Sequence, residues 1–225
     1  MKNNPALGKA VHERLFAMGI ETPMLKARPM VPSQKEANEQ ARQHDIEMHV
    51  GAILGLLNLD LDDDSLNETP KRVAKMFMRE IFSGLDYDNF PKATVIENKM
   101  GADEMVIERN ITLNSTCEHH LLPIIGKAHI AYIPGAKVLG LSKMNRIAQF
   151  FAARPQVQER LTLQIHAALC FILETEDVAV IIEAEHACVK TRGVEDACSD
   201  TVTSKVSGAF QNPSTRHEFI TLTRK

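Results

Sequence analysis

Cysteine is scarce in this chain: four residues in 225, at positions 117, 170, 188 and 198. That is too few and too scattered for a disulfide framework in a chain of this size, so reduced thiols are expected. No stretch approaches the length of a membrane span, and the opening "MKNNPALGKAVHERLF" lacks the apolar core of a secretory signal. A cytoplasmic protein with no membrane contact is the expectation. Basic excess is missing too. The net charge of −3 argues against a broad nucleic-acid footprint, although a small local cluster of cations remains possible. There is no tryptophan, no low-complexity tract and no usable internal repeat. What is present is otherwise ordinary: 44% apolar and 24% charged residues, enough for one large domain or a domain with an appendage.

The first third reads as helices. Leu7, Val11, Leu15 and Met18 recur at helical spacing, with Gly19 as a stop. The proline-rich "ETPMLKARPMVPS" reads as a linker, and Ser33 with Glu36 forms a capping box ahead of a helix striped by Ile46, Val50, Ile53, Leu54 and Leu57. Next, "TPKRVAKMFMREIFSG" offers Thr69 as N-cap, Pro70 at the first helical position and Gly84 past the end. From about residue 93 the period changes. Met105, Ile107, Ile111 and Leu113 alternate onto one face of a strand, and "IIGKAHIAYIP" follows as its partner. Two helices come next, the second striped by Val157, Leu161, Ile165, Leu169 and Ile172. "DVAVIIEAEHACVK", a short "SDTVTSKVS" and the C-terminal "TRHEFITLTRK" read as closing strands. The expectation is an α+β domain over residues 93–225, helices laid on one face of an antiparallel sheet, after a helical N-terminal region over 1–92.

Two of the few cysteines sit beside histidines, in "NSTCEHHLLP" and much later in "EAEHACVKTRG". Cys117 and His120, as C-x-x-H at a strand end, can turn onto one ion of tetrahedral preference. In an extended chain His186 and Cys188 project to the same face. Cys117, His120 and Cys188 together would leave zinc one open position, as in catalytic sites. Adding Cys198 closes the site into a structural one, and a thiol nucleophile is also compatible. His119, adjacent to the pair, can face a substrate as acid or base. His12, His44, His49, His129 and His166 read as surface, core or interface residues.

Cations gather in two places. Ser142, Lys143 and Arg146 open a helix, with Ser142 as its expected N-cap, and Lys190 and Arg192 follow the second Cys–His stretch. Helix starts with added Lys and Arg suit a phosphate-bearing substrate. Gln158 and Glu159 occupy another helix's first turn, where the dipole alone can account for a carboxylate.

Taken together, "ETPKRVAKM", "EIFSGLDYDNFP", "STCEHHLLP", "AYIPGAKVLGLSKMNRI", "FAARPQVQERLT", "HACVKTRG" and "TRHEF" resemble the GTP cyclohydrolase I family, in family order over roughly two-thirds of the chain. The resemblance implies the tunnelling fold, with antiparallel sheets joined across subunits into a barrel. It implies a homodecamer of two stacked pentameric rings with active sites between subunits. It also implies the conversion of GTP and water to 7,8-dihydroneopterin triphosphate and formate, the entry to folate-type pterins.

On this sequence the resemblance implies Zn2+ on Cys117, His120 and Cys188, raising the acidity of a water that attacks C8 of the guanine. His119 would protonate the imidazole-ring nitrogen, His186 would assist proton transfer during ring opening, and Ser142 would serve the later ribose rearrangement. Glu159 with Gln158 would hold the pyrimidine edge. Arg72, Lys143, Arg146 and Arg192 would clasp the triphosphate, with Lys190 a weaker carry-over. Cys198 then becomes incidental. A nitrile-reducing relative, a three-histidine pterin synthase, a deaminase-type zinc site and a non-enzymatic GTP sensor fit the same residues less well.

Overall fold

The computed structural model describes residues 3–25 and 35–224. Its backbone divides into two compact units, Met1–Thr22 with Gly84–Lys225, and Pro23–Ser83.

In the Pro23–Ser83 unit, α2 (Lys35–Leu56) packs on α3 (Thr69–Met76), which runs on into one π-helical turn, Phe77–Ile81. Of the expected stripe on α2, Ile46, Val50 and Leu54 are half-buried, whereas Ile53 and Leu57 are exposed. The helix α3 starts one residue earlier than the sequence suggests. Glu68 caps it without a side-chain bond, and Thr69 and Pro70 are its first two residues. The Arg72 amide, which a Thr69 hydroxyl cap could have taken, donates instead to Glu68 O at 3.0 Å, as the first turn of a helix begun one residue earlier. Ser33 of the expected capping box lies outside the described residues.

In the larger unit, α1 (Pro5–Ala17) is capped by the Asn4 side chain, which accepts from Leu7 N at 3.1 Å, and buries Val11 and Leu15. Gly19, at φ +69°, supplies the left-handed stop. The strands are β1 (Val95–Glu97), β2 (Val106–Cys117), β3 (Pro123–Tyr132), β4 (Lys137–Leu139), β5 (Pro155–Gln156), β6 (Val178–His186) and β7 (Thr201–Val206). A five-stranded sheet runs β5-β2-β3-β6-β7, antiparallel apart from the short β2–β5 pair, and β1 pairs with β4. Helices α4 (Leu141–Ala152) and α5 (Gln158–Leu173) cover one face, burying Met144, Ile147, Phe151, Leu161, Ile165 and Leu169 against Ile111, Leu113, Ile130, Val180 and Ile182.

Three readings of the strands are corrected here. Met105 and Ile107 do not share a face with Ile111 and Leu113. A bulge between Glu108 and Ile111, with Asn110 at φ +57°, inserts one residue and reverses the alternation. Ile111 and Leu113 therefore enter the α4/α5 core, while Met105 and Ile107 pack with Ala131, Ile181, Phe210 and Phe219 on the opposite face. The second correction is "TRHEFITLTRK", which forms α7 (Pro213–Thr223) rather than a strand. Pro213 opens it, the Asn212 side chain caps it by accepting from Ser214 N at 3.0 Å, and Phe219 and Thr223 are buried one turn apart. Directly after β6, the short helix α6 (Ala187–Lys190) likewise replaces the expected continuation of that strand.

Arg154, fully buried, ties the N-terminal segment to the sheet. It donates to Glu21 Oε1 at 3.0 Å and to the Gly84 carbonyl, and its guanidinium lies 5.0–5.1 Å from the rings of Tyr87, Phe150 and Phe151. Glu21 also accepts from Tyr87 Oη and from Thr22 N and lies 2.9 Å from His12 Nδ1. Arg154 Nε is buried without a hydrogen-bond partner, so the pair is not fully satisfied, yet removing either partner would strand the other as a buried charge. Among the described residues, no helix is long and apolar enough to cross a membrane.

Candidate metal centre

Strand register explains how residues far apart in sequence meet. Thr116 of β2 pairs with Pro123 of β3, and Ile124 of β3 pairs with His186 of β6. The end of β2, the start of β3 and the end of β6 therefore lie at one end of the sheet. Between β2 and β3 the chain closes a tight turn: Leu121 N donates to Cys117 O at 2.9 Å and Cys117 N to Leu122 O at 2.8 Å, with Leu121 at φ +53°. This turn carries His119 and His120 back over Cys117.

Beyond His186 the chain turns helical, so Cys188 does not share a strand face with His186 as its spacing suggests. It reaches the site from α6 instead, and the convergence survives. The ligand atoms of Cys117, His120 and Cys188 all lie within 4.8 Å of one another, and Cys117 Sγ is 3.9 Å from His120 Nδ1. Tetrahedral zinc, with S and N bonds of roughly 2.3 and 2.0 Å, needs S···N separations of about 3.6 Å. The group is close to that. Burial, then the neighbouring Cys117 thiol, push the Cys188 thiol above its ordinary pKa. A thiol held in its neutral form by burial and by a neighbouring thiol is a ligand that a divalent cation can ionise and bind. These residues therefore fit a metal ion. Cys198 is exposed and stands outside the group, as do all fourth-ligand candidates among the described residues.

The surroundings are built from β6, α5 and the turn. Arg192 Nη1 donates to His120 Nε2 at 3.0 Å, leaving Nδ1 on the side of Cys117. Glu118 accepts two bonds from Arg160, at 2.6 and 3.2 Å, tying the turn to the first turn of α5, and this pairing lowers the Glu118 pKa. His119 is exposed, with Nδ1 3.9 Å from Cys117 Sγ. His186 is half-buried; burial lowers its pKa and the Glu159 carboxylate opposes that. Glu159 is exposed, but Gln158 is enclosed, 1% accessible, with its side chain bonded inside the protein. Lys190 pairs with Glu185 at 2.9 Å.

The other half of the expected site lies elsewhere. Tyr132 Oη accepts from Leu139 N at 3.0 Å, and Tyr132 pairs with Val106 and Val178, which places the start of α4 at the opposite end of the sheet. The far end of α4 is at the metal end, where Ala152 O accepts from Ser115 Oγ at 2.8 Å. Twelve residues of helix separate the two, about 17 Å. Ser142, Lys143 and Arg146 are therefore not brought to Cys117, His120 and Cys188 of their own chain. Ser142 is also not the cap of α4; Gly140 holds that position, and Ser142 is the second helical residue. Arg72 is exposed on α3, in the Pro23–Ser83 unit. Sequence reasoning passed over Glu118, Arg160, Thr162 and Thr203. The two charges sit inside "STCEHHLLP" and "PQVQERL" and could have been paired; the threonines carry no signal.

Comparison with known proteins places this geometry. A family model described as GTP cyclohydrolase I matches residues 46–224. A GTP cyclohydrolase 1 of Vibrio campbellii is 59% identical over 213 residues, covering 94% of both chains. One of Shewanella amazonensis is 58% identical, and one of Aliivibrio fischeri 57%, each over 211 residues, 93% of this chain and 94% of the relative.

Proposed function

The chain belongs to the GTP cyclohydrolase I family, with that family's α+β tunnelling-type fold and hydrolase activity, and from that premise we propose how its residues convert GTP and water to 7,8-dihydroneopterin triphosphate and formate. The observation that carries the reading is the convergence of Cys117 at the end of β2, His120 in the turn that follows and Cys188 on α6. These three side chains would hold zinc, which two thiolates and an imidazole favour over harder ions. When bound, the ion supplies Lewis acidity that makes water a nucleophile at neutral pH.

The remaining work falls to the chain's own groups. His119, exposed beside the metal ligands, donates a proton to the imidazole-ring nitrogen of the guanine as C8 is hydrated. His186 handles protons during ring opening. Glu159 accepts from the ring N–H and the amino group of the pyrimidine edge. Arg192, with Lys190 behind it, and Lys143, Arg146 and Arg72 neutralise the triphosphate, and Ser142 serves the ribose rearrangement. The catalytic part spans residues 93–225, preceded by the helical region 1–92, in a cytoplasmic protein.

We place the active site between subunits. Two observations support this. Ser142, Lys143 and Arg146 lie at the wrong end of their own sheet to join their own metal group. In addition, the outer edge of β7 and most of the outer edge of β2 have no strand partner among the described residues, so neighbouring sheets can join there into a ring. The full assembly in this reading is a decamer of two stacked pentamers.

The test is GTP turnover by purified protein, following formate and the oxidised fluorescent pterin, with metal measured on the same sample. Both products with about one zinc per chain support the reading; zinc with GTP unconsumed overturns it. Intersubunit sites are tested by unfolding and co-refolding two inactive variants, His119→Ala and Lys143→Ala. Activity returns in the mixture if each site draws on two chains, and stays absent if it does not.

A further inference from the structure

Gln158 is fully enclosed at the first position of α5, and its amide is held in one orientation by groups that cannot exchange roles. Nε2 lies 3.1 Å from Ile182 O, 2.9 Å from Thr201 O and 3.2 Å from Thr203 Oγ1. Backbone carbonyls only accept, so turning the amide over would set Oε1 against two of them. The hydroxyls agree. Thr162 spends its proton on Gln158 O at 2.9 Å, so across the 2.7 Å contact with Thr162 it is Thr203 that donates. Thr203 Oγ1 then has lone pairs to offer the amide. With Nε2 committed, Oε1 is an acceptor, and the ring atom 2.8 Å from it is His186 Nε2. That atom must carry the hydrogen. His186 Nδ1, in contrast, makes no hydrogen bond among the described residues.

We infer that Gln158 is a positioning residue, not a guanine contact, and that it fixes His186 as the Nε2–H tautomer with Nδ1 as the ring atom open to water or substrate. This rests on the reading of His186 as part of the cyclohydrolase site. It divides the work of the α5 start: the exposed Glu159 faces outward to the guanine edge, and the enclosed Gln158 faces inward to the imidazole. With Nε2 committed to Gln158 Oε1, Nδ1 is the ring atom left to meet water or substrate, and Thr162 and Thr203 become remote determinants of that choice. A histidine whose tautomer is fixed from behind needs no reorganisation when the substrate arrives.

Neutron diffraction from deuterium-exchanged crystals of the zinc-loaded wild-type protein reads the atoms directly. Deuterium on His186 Nε2, a bare Nδ1 and two deuterons on Gln158 Nε2 aimed at Ile182 O and Thr201 O are expected. Deuterium on Nδ1 with a bare Nε2, or a reversed amide, overturns the inference. Steady-state kinetics of Gln158→Met separate positioning from contact. The expected result is kcat down about 10- to 100-fold, with KM for GTP within about threefold and zinc content unchanged. A KM raised tenfold at unaltered kcat overturns it and returns Gln158 to the guanine. The neutron result is independent of turnover, so a protein that leaves GTP intact would sink the functional reading while the tautomer is still decided.

Discussion

Cysteine and histidine meet twice in the larger unit, and the two meetings differ in almost every respect except residue type. At the sheet end, Cys117 comes from the end of β2, His120 from the turn after it and Cys188 from α6, with His120 exposed and Arg192 alongside. On α5, Cys170 and His166 lie one helical turn apart with Sγ 3.8 Å from the ring, and His166 Nε2 lies 2.8 Å from Ser207 Oγ. Ser207 donates onward to the Glu176 carbonyl, so it accepts from His166 and the chain of bonds ends there. Burial pushes the His166 imidazole down to about 4 and the Cys170 thiol up to about 11. Both are neutral at physiological pH. The trio resembles a nucleophile–base–orienter set but has no ionisable reserve, whereas the strand-end group holds three donors whose mutual crowding a cation relieves. Unspent ligating capacity, more than residue identity, separates a site from a piece of core.

Breaking the first group should have the largest effect. Cys188→Ser is expected to lose stoichiometric metal and to lower turnover by about 10³-fold or more; metal analysis of the purified variant checks it, and full zinc content would overturn the ligand assignment. His119→Ala should keep its metal yet lose about 10²- to 10⁴-fold in kcat, as expected for a proton donor rather than a ligand. Full activity would remove His119 from the chemistry. The second group should show itself in stability instead. Below pH 6.5 the unfolded chain takes up a proton at His166 that the folded chain refuses until about pH 4, so stability falls as pH drops through that window. Urea midpoints should decline from pH 6.5 to 4 more steeply for wild type than for His166→Gln; parallel curves would reject the linkage. Smallest of all, Cys170→Ala should cost about 1 kcal/mol in unfolding free energy, with turnover and zinc content unchanged.

The metal group was legible because its parts are local: a C-x-x-H at the end of an alternating segment, and a second thiol within a motif of the same family. The route of Cys188 was not, since four residues of helix after β6 leave no periodic trace. Bulges hide for the same reason. Met105 and Ile107 keep perfect alternation with Ile111 on paper, and Asn110, which breaks it, looks like any other polar residue on the solvent side. The C-terminal helix was misread because Phe219, Thr221 and Thr223 alternate as a strand would, while the Asn212-Pro213 start went unweighed. Gln158 shows the deeper limit. Its neighbour Glu159 can be assigned from chemistry, but the inward direction of the glutamine depends on carbonyls of β6 and β7 more than twenty residues away.

Arg154 has a topological consequence. The chain leaves the larger unit after Thr22 and returns at Gly84, and one guanidinium grips both crossing points, Glu21 on the way out and the Gly84 carbonyl on the way back. Everything from Pro23 to Ser83 is thus an insertion whose two stems are stapled together at the host's surface of departure. A host with its stems stapled is indifferent to the length of what hangs between them. A change in the length of chain between these stems should therefore cost the sheet little stability, provided that α3 and its Arg72 are kept.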